Sequence, residues 1–214
     1  MGESVIKILI ADDHAILRRG LRGFLEHELE AARYGEAGNS QEVLIQVHQE
    51  HWDLLILDIT MPGRSGLEVL RDVKKERPSL PVLVLSVHPE DQFGKRALRA
   101  GASGYINKES PLEELIKAIR KVLAGGTYVS PTLAEKLALD LSRRTPELPH
   151  ERLSDREFEV LRMIASGKTI SQIAGDLHLS VATVSTHRAH ILEKTAMTTN
   201  AELVRYALQN HLAD

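Results

Sequence analysis

The stretch VIKILIADDH, residues 5–14, runs an aliphatic strand pattern straight into two adjacent aspartates. Such an ending has an ordinary explanation, because Asp accepts backbone N–H bonds in turns and at helix N-caps. The pattern recurs, however. DLLILD (53–58) closes on Asp58, PVLVLS (81–86) on Ser86, and GYIN (104–107) is followed by Lys108, with ARYGEA (32–37) a weaker strand. Segments of helical period lie between them, at 14–29, 40–50, 65–77, 90–101 and 111–125. Strands alternating with helices predict an α/β fold, a doubly wound, five-stranded parallel sheet. The near-continuous aliphatic runs fit strands covered on both faces.

In such a sheet the carboxyl ends of the strands share one edge, and ligands bind there. Asp12, Asp13 and Asp58 should therefore converge with Ser86 and Lys108. Clustered carboxylates repel one another and call for a cation. A hard divalent ion, Mg²⁺ in a cell, suits an all-oxygen set. A carboxylate held beside it can attack a phosphoryl donor, while metal and ammonium neutralise the transferring oxygens.

The pattern changes after GGTYVSP (125–131). A short helix over TLAEKLALDLS (132–142) precedes RRTPELPHER (143–152), whose two prolines read as a linker. From there the chain is helical throughout, with helices expected at 153–167, 169–177, 180–195 and 199–212. The expected domains are 1–124, a linker with a short helix over 125–150, and a second, smaller all-α unit over 151–214. Ser154 and Ser180 are natural N-caps and Gly167 a natural stop. At 100° per residue Val184, His187, Ile191 and Thr195 share the core face of the third of these helices, opposite Ala182, Thr186, Ala189, His190 and Glu193.

ADDH, LDITMPGRSG, LVLSVH and GASGYINK, in that order and spacing, resemble the receiver domain of two-component response regulators. The C-terminal half resembles the LuxR-type helix-turn-helix, so the chain as a whole resembles the NarL/FixJ family. The resemblance implies a flavodoxin-like receiver with Asp58 as phosphoacceptor. It implies Mg²⁺ held by Asp13, Asp58 and the Thr60 backbone carbonyl, with Asp12 acting through water. Lys108 would pair with the phosphoryl group, Ser86 would move to bond it, and Tyr105 would be the switch aromatic. Ser185, Thr186 and Ala189 would occupy base-reading positions, with His190 on the same outward face. Thr183, Arg188 and Lys194 would meet phosphates. A histidine kinase, double-stranded DNA and a phosphorylation-promoted homodimer are the implied partners. One departure from the receiver pattern is that Pro111 stands three residues after Lys108, where many receivers place proline directly after the lysine.

Composition narrows the alternatives. Cysteine is absent, which excludes a disulfide framework, a thiol nucleophile and cysteine–metal sites. No charged-then-apolar leader opens the chain, and aliphatic runs such as LLIL (54–57) are too short to span a membrane, so a cytoplasmic protein without membrane contact is expected. A phosphatase using an aspartyl phosphate would want a second aspartate where Thr60 stands, which favours a regulator over an enzyme. A ligand-sensing regulator would need an aromatic-rich cavity, whereas only 4% of residues are aromatic. A regulator of this architecture driven by a small molecule stays open. Residues 151–214 carry seven Lys and Arg against eight Asp and Glu. So acidic a unit should hold DNA weakly alone, and two linked half-sites would supply what one lacks.

Overall fold

The computed structural model describes residues 5–29, 32–61, 64–142 and 148–212, the side chains of 140–142 excepted. Pro62 and Gly63 of the LDITMPGRSG motif, and residues 143–147 of the expected linker, lie outside the described residues. The chain forms two compact units, residues 1–143 and 144–214.

In the first unit the strands are β1 (Ile6–Ala11), β2 (Ala32–Ala37), β3 (Leu54–Leu57), β4 (Val82–Ser86) and β5 (Gly104–Asn107). They pair in parallel in the order β2-β1-β3-β4-β5. Helices α1 (Ala15–Glu28), α2 (Ser40–Gln49), α3 (Gly66–Glu76), α4 (Glu90–Arg99) and α5 (Leu112–Leu123) connect and follow them. The chain steps from β1 out to the β2 edge and then back across to β3. The order thus reverses between β1 and β3, where a parallel sheet leaves a crevice.

Side chains alternate across each strand. Ile8 and Ile10, Leu54 and Ile56, Leu83 and Leu85, and Ile106 form one buried cluster with Leu21 and Leu25 of α1 and with α5. Helix α5 buries Leu115, Ile116, Ala118, Ile119 and Val122, an apolar stripe at helical spacing. Leu9, Leu55, Leu57, Val82, Val84 and Tyr105 are also buried and point the other way.

Two contacts position the sheet edge. Helix α3 begins at Gly66, whose N–H donates to Ile59 O at 3.0 Å. A Cβ at Gly66 would lie 2.5 Å from Ile59 Cα and 2.6 Å from Asp58 O, so only glycine lets the helix sit on the backbone that follows β3. Beyond α5, Tyr128 pairs alongside Gly104 and its N–H donates to Ser103 O at 2.8 Å. Helix α6 (Pro131–Ser142) then packs on α4. Leu133 is buried against Gly94, Ser130 Oγ donates to Glu90 at 2.6 Å, and Lys136 pairs with Asp91 at 3.2 Å. The segment expected as a linker with a short helix is therefore fastened to the first unit at Tyr128, Ser130, Leu133 and Lys136.

The second unit holds a 3-10 turn (Pro149–Arg152), α7 (Asp155–Ala165), α8 (Ile170–Asp176), α9 (Val181–Thr195) and α10 (Asn200–Gln209). Ser154, Thr169, Ser180 and Thr199 cap the four helices by accepting backbone N–H bonds. Gly167, at φ +85°, stops α7. The core side of α9 is Val184, Ile191 and Thr195, with His187 half-buried beside them.

Gly66→Ala should cost about 1–3 kcal/mol of unfolding free energy, because the added methyl meets backbone that cannot rotate away. Urea denaturation of the full chain checks this, and the unfolding slope should be unchanged.

Candidate functional site

The hydrogen-bond ladder runs one residue past each strand at the crevice. Asp12 N donates to Ala37 O at 3.1 Å, Asp58 N to Ala11 O at 2.9 Å and Lys108 N to Ser86 O at 2.8 Å. By strand parity Asp12, Asp58 and Lys108 continue the rows of Ile10, Ile56 and Ile106, so their side chains emerge on one side and meet. The Lys108 ammonium bonds Asp12 Oδ2 at 2.5 Å and Asp58 Oδ2 at 2.6 Å. All three side chains are at least nine-tenths buried.

Asp13 and His14 complete the cluster. Carboxylate or imidazole ligand atoms of Asp12, Asp13, His14 and Asp58 all lie within 4.8 Å of one another. Asp13 Oδ1 is shut off from solvent and accepts no hydrogen bond, although His14 Nδ1 lies 2.8 Å away. Burial pushes the Asp58 carboxyl above the usual carboxylate range. Lys108 and the Thr60 N–H oppose that shift, while Asp12 adds to it. Burial pulls the Lys108 ammonium down, but Asp58 and Asp12 outweigh it and hold the ammonium above its ordinary value. One ammonium thus faces three carboxylates, and an unbonded oxygen is left among them. These residues fit a hard divalent cation, which seeks such oxygens.

The rim is built from the opposite strand parity. Ser86 is fully buried, and its Oγ accepts the His88 N–H at 3.2 Å. Tyr105 is equally buried and donates its hydroxyl to His88 O at 2.7 Å, where Asn107 Nδ2 also donates. Thr60 donates its backbone N–H to Asp58 Oδ1 at 3.0 Å, and its Oγ1 lies 3.1 Å from His88 Nε2. The His88 ring stacks on Phe93 of α4 with centroids 4.4 Å apart. After Lys108 the loop is closed by Asn107, whose Oδ1 accepts the Glu109 N–H at 2.8 Å and whose carbonyl accepts the Ser110 N–H at 2.9 Å. A turn at Asn107 thus closes the loop in which proline stands three residues after the lysine.

In the second unit α8 and α9 form a helix-turn-helix. His178 takes a left-handed conformation (φ 52°) in the turn, and Leu179 N donates to Ala174 O at 2.9 Å. Thr183, Ser185, Thr186, Ala189, His190 and Lys194 are exposed on α9, and Arg188 is half-buried. Ser185 and Thr186 turn their hydroxyls back onto the carbonyls of Val181 and Ala182. Arg188 Nε donates to Asn200 Oδ1 at 2.6 Å. Lys194 is engaged within the domain, its ammonium bonding both oxygens of Glu157 at 2.7 and 2.9 Å. The helical reading of α9 alone gave no sign of that partner, which comes from α7.

Both halves have counterparts among known proteins. Residues 8–120 match the response regulator receiver domain, and residues 151–207 match the bacterial regulatory proteins of the luxR family. The chain belongs to the NarL/FixJ family of two-component response regulators. Response regulator GacA of Pseudomonas aeruginosa is 36% identical over 211 residues, covering 98% of this response regulator and 99% of its own chain. Oxygen regulatory protein NreC of Staphylococcus carnosus is 36% identical over 216 residues, with 98% and 100% covered. Among solved structures, RcsB from Salmonella enterica serovar Typhimurium bound to promoter rprA in the presence of phosphomimetic BeF3− is similar at a TM-score of 0.65. It is 28% identical, covering 94% of this response regulator and 97% of that chain. Among the described residues no helix is long and apolar enough to cross a membrane.

If the acid cluster holds a cation, millimolar Mg²⁺ should raise the melting temperature of this response regulator by mass action on the folded state. Asp13→Asn should abolish most of that increase. Calorimetry with and without chelator checks both.

Proposed function

We propose that this response regulator is a phosphorylation-controlled transcription factor of the cytoplasm, switched by a partner histidine kinase and acting on double-stranded DNA as a homodimer. The observation that supports this best is Lys108, whose ammonium is buried against both Asp12 and Asp58 in an otherwise acidic crevice. The residues proposed to hold Mg²⁺ are Asp13, Asp58 and the Thr60 carbonyl, with Asp12 acting through water. When bound, the ion supplies positive charge that offsets the charge on the transferring phosphoryl oxygens.

Asp58 is the nucleophile in this reading. A carboxylate oxygen forms a bond to phosphorus as the P–N bond of the kinase's phosphohistidine breaks, and the departing imidazole nitrogen takes up a proton. Thr60 N–H holds one Asp58 oxygen and Lys108 the other, so the carboxylate is oriented before the donor arrives. Lys108 then turns its ammonium to the phosphoryl group. Ser86 Oγ leaves the His88 N–H to bond the same group, and Tyr105 follows as the β4–α4 loop shifts. The domain acts chemically on itself alone, which makes it a switch and not an enzyme with turnover on other substrates.

The output half follows from α9. Short side chains at Ser185, Thr186 and Ala189 suit close approach to base edges in the major groove, with His190 beside them. Thr183 and Arg188 are the residues proposed for phosphate contacts, which position the protein without conveying sequence. Pairing of two phosphorylated copies supplies the hold that one nearly neutral domain lacks.

Incubation with acetyl phosphate and Mg²⁺ should add one base-labile phosphoryl group by intact mass, and Asp58→Asn should add none. Signal persisting in Asp58→Asn, or full phosphorylation in the presence of chelator, contradicts the assignment. Thr186→Ala should change preference at particular base pairs by about 1–3 kcal/mol if its contact is a good one. Competition binding against single-base operator variants measures it.

A further inference from the structure

Glu157 is a nearly buried carboxylate that neither the receiver chemistry nor groove reading uses. It is 3% exposed at the start of α7. There it completes the capping box, its Oε2 accepting the Ser154 N–H at 2.7 Å. The same carboxylate takes both bonds from Lys194, and His190 Nδ1 stands 3.6 Å from its Oε1. Burial pushes Glu157 up, but Lys194 and Ser154 overcome this and keep it below the usual carboxylate range. Lys194 and His190 in turn line an open hollow with Arg152 and Glu193.

A capping box needs only an acceptor at this position and works as well with Gln. The negative charge is therefore surplus to capping, and it lies under the helix that meets DNA. On α9 the charges are Arg188 and Lys194 against Glu193, and Glu157 cancels the remainder. Most of the free energy of non-specific DNA binding comes from releasing counterions as protein cations meet phosphates. Glu157 is buried while the Lys194 side chain is 41% exposed, so the carboxylate holds the ammonium from beneath and a lysine already paired in this way has less charge to offer a phosphate.

We propose that Glu157 is an electrostatic brake on the DNA face: it holds Lys194 out of phosphate contact and so keeps one domain's grip weak. This rests on the reading of α9 as the helix that meets DNA. It makes Glu157 a positioning residue, acting on DNA through Lys194. The brake sharpens control, because a domain that cannot hold DNA alone depends on pairing two copies.

The test is a salt titration of the full-length protein on a fluorescein-labelled random-sequence 30-base-pair duplex, at fixed pH, by anisotropy. Glu157→Gln keeps the cap and frees Lys194. The plot of log affinity against log salt should steepen by about 0.9 per bound copy, a roughly threefold larger loss of affinity between 50 and 200 mM salt. The double variant Glu157→Gln/Lys194→Gln should return to the wild-type slope, because Lys194 makes no phosphate contact in the wild type. A double variant flatter than wild type by about 0.9 per copy overturns the brake and makes Lys194 a direct contact. An unchanged slope in Glu157→Gln overturns it as well. If Glu157→Gln melts below the assay temperature, Lys194→Gln alone decides: an unchanged slope supports the brake, and a flattened one overturns it. Wild type failing to bind the duplex while Glu157→Gln binds is the brake at its strongest. Both failing, or cognate operator failing too, counts against the brake and the DNA-binding reading respectively.

Discussion

One ammonium between two buried carboxylates ties the receiver together at the crevice where its acids cluster. Lys108 follows β5, Asp12 follows β1 and Asp58 follows β3, so a single charged contact joins three strands of the sheet. Burying such charges is expensive, and removing one partner of a buried pair typically costs about 3–5 kcal/mol because the other is left uncompensated. The lysine balances only part of the charge, however. Three acids remain against one base, and burial still pushes Asp58 up. The site is folded yet electrostatically incomplete, a state that suits a cation.

The second unit handles charge in the opposite way. Reciprocal caps close α7, α8 and α10, so the ends of short helices are satisfied by side chains. The Lys194 charge is met by Glu157 inside the domain. The receiver thus stores an imbalance of charge, whereas the output domain cancels one.

Much of this was legible before any coordinates. Aliphatic runs marked β1, β3 and β4 to within a residue or two, because strands buried on both faces need little else, and GYIN coincided with β5. The weak β2 pattern reflects an edge strand that is only partly buried. Asp12, Asp13, Asp58 and Lys108 could be brought together from topology alone, because parallel strands share their carboxyl edge. What escaped depends on contacts between residues far apart in the chain. His14 stood in the quoted motif, but its closeness to Asp12 and Asp13 needed the path of the first turn. The Thr60–His88–Phe93 chain spans two loops and a helix. Glu157 and Lys194 are separated by 37 residues, and α6 docks on α4 where Gly94 leaves room for Leu133.

The parity of the strands carries a consequence for how such a chain can change over generations. Asp12, Asp58 and Lys108 lie on one side of the sheet edge, while Ser86 and Tyr105 belong to the other. Inserting or deleting a single residue within β1, β3 or β5 would turn the later side chains of that strand to the wrong face. The acids and the lysine would then part company even if every residue type were retained. Lengthening a loop at the opposite, amino-terminal edge leaves that alternation untouched. Variation in length should therefore gather at that far edge among descendants of this chain, while the spacing inside the strands stays frozen even where the aliphatic residues themselves drift.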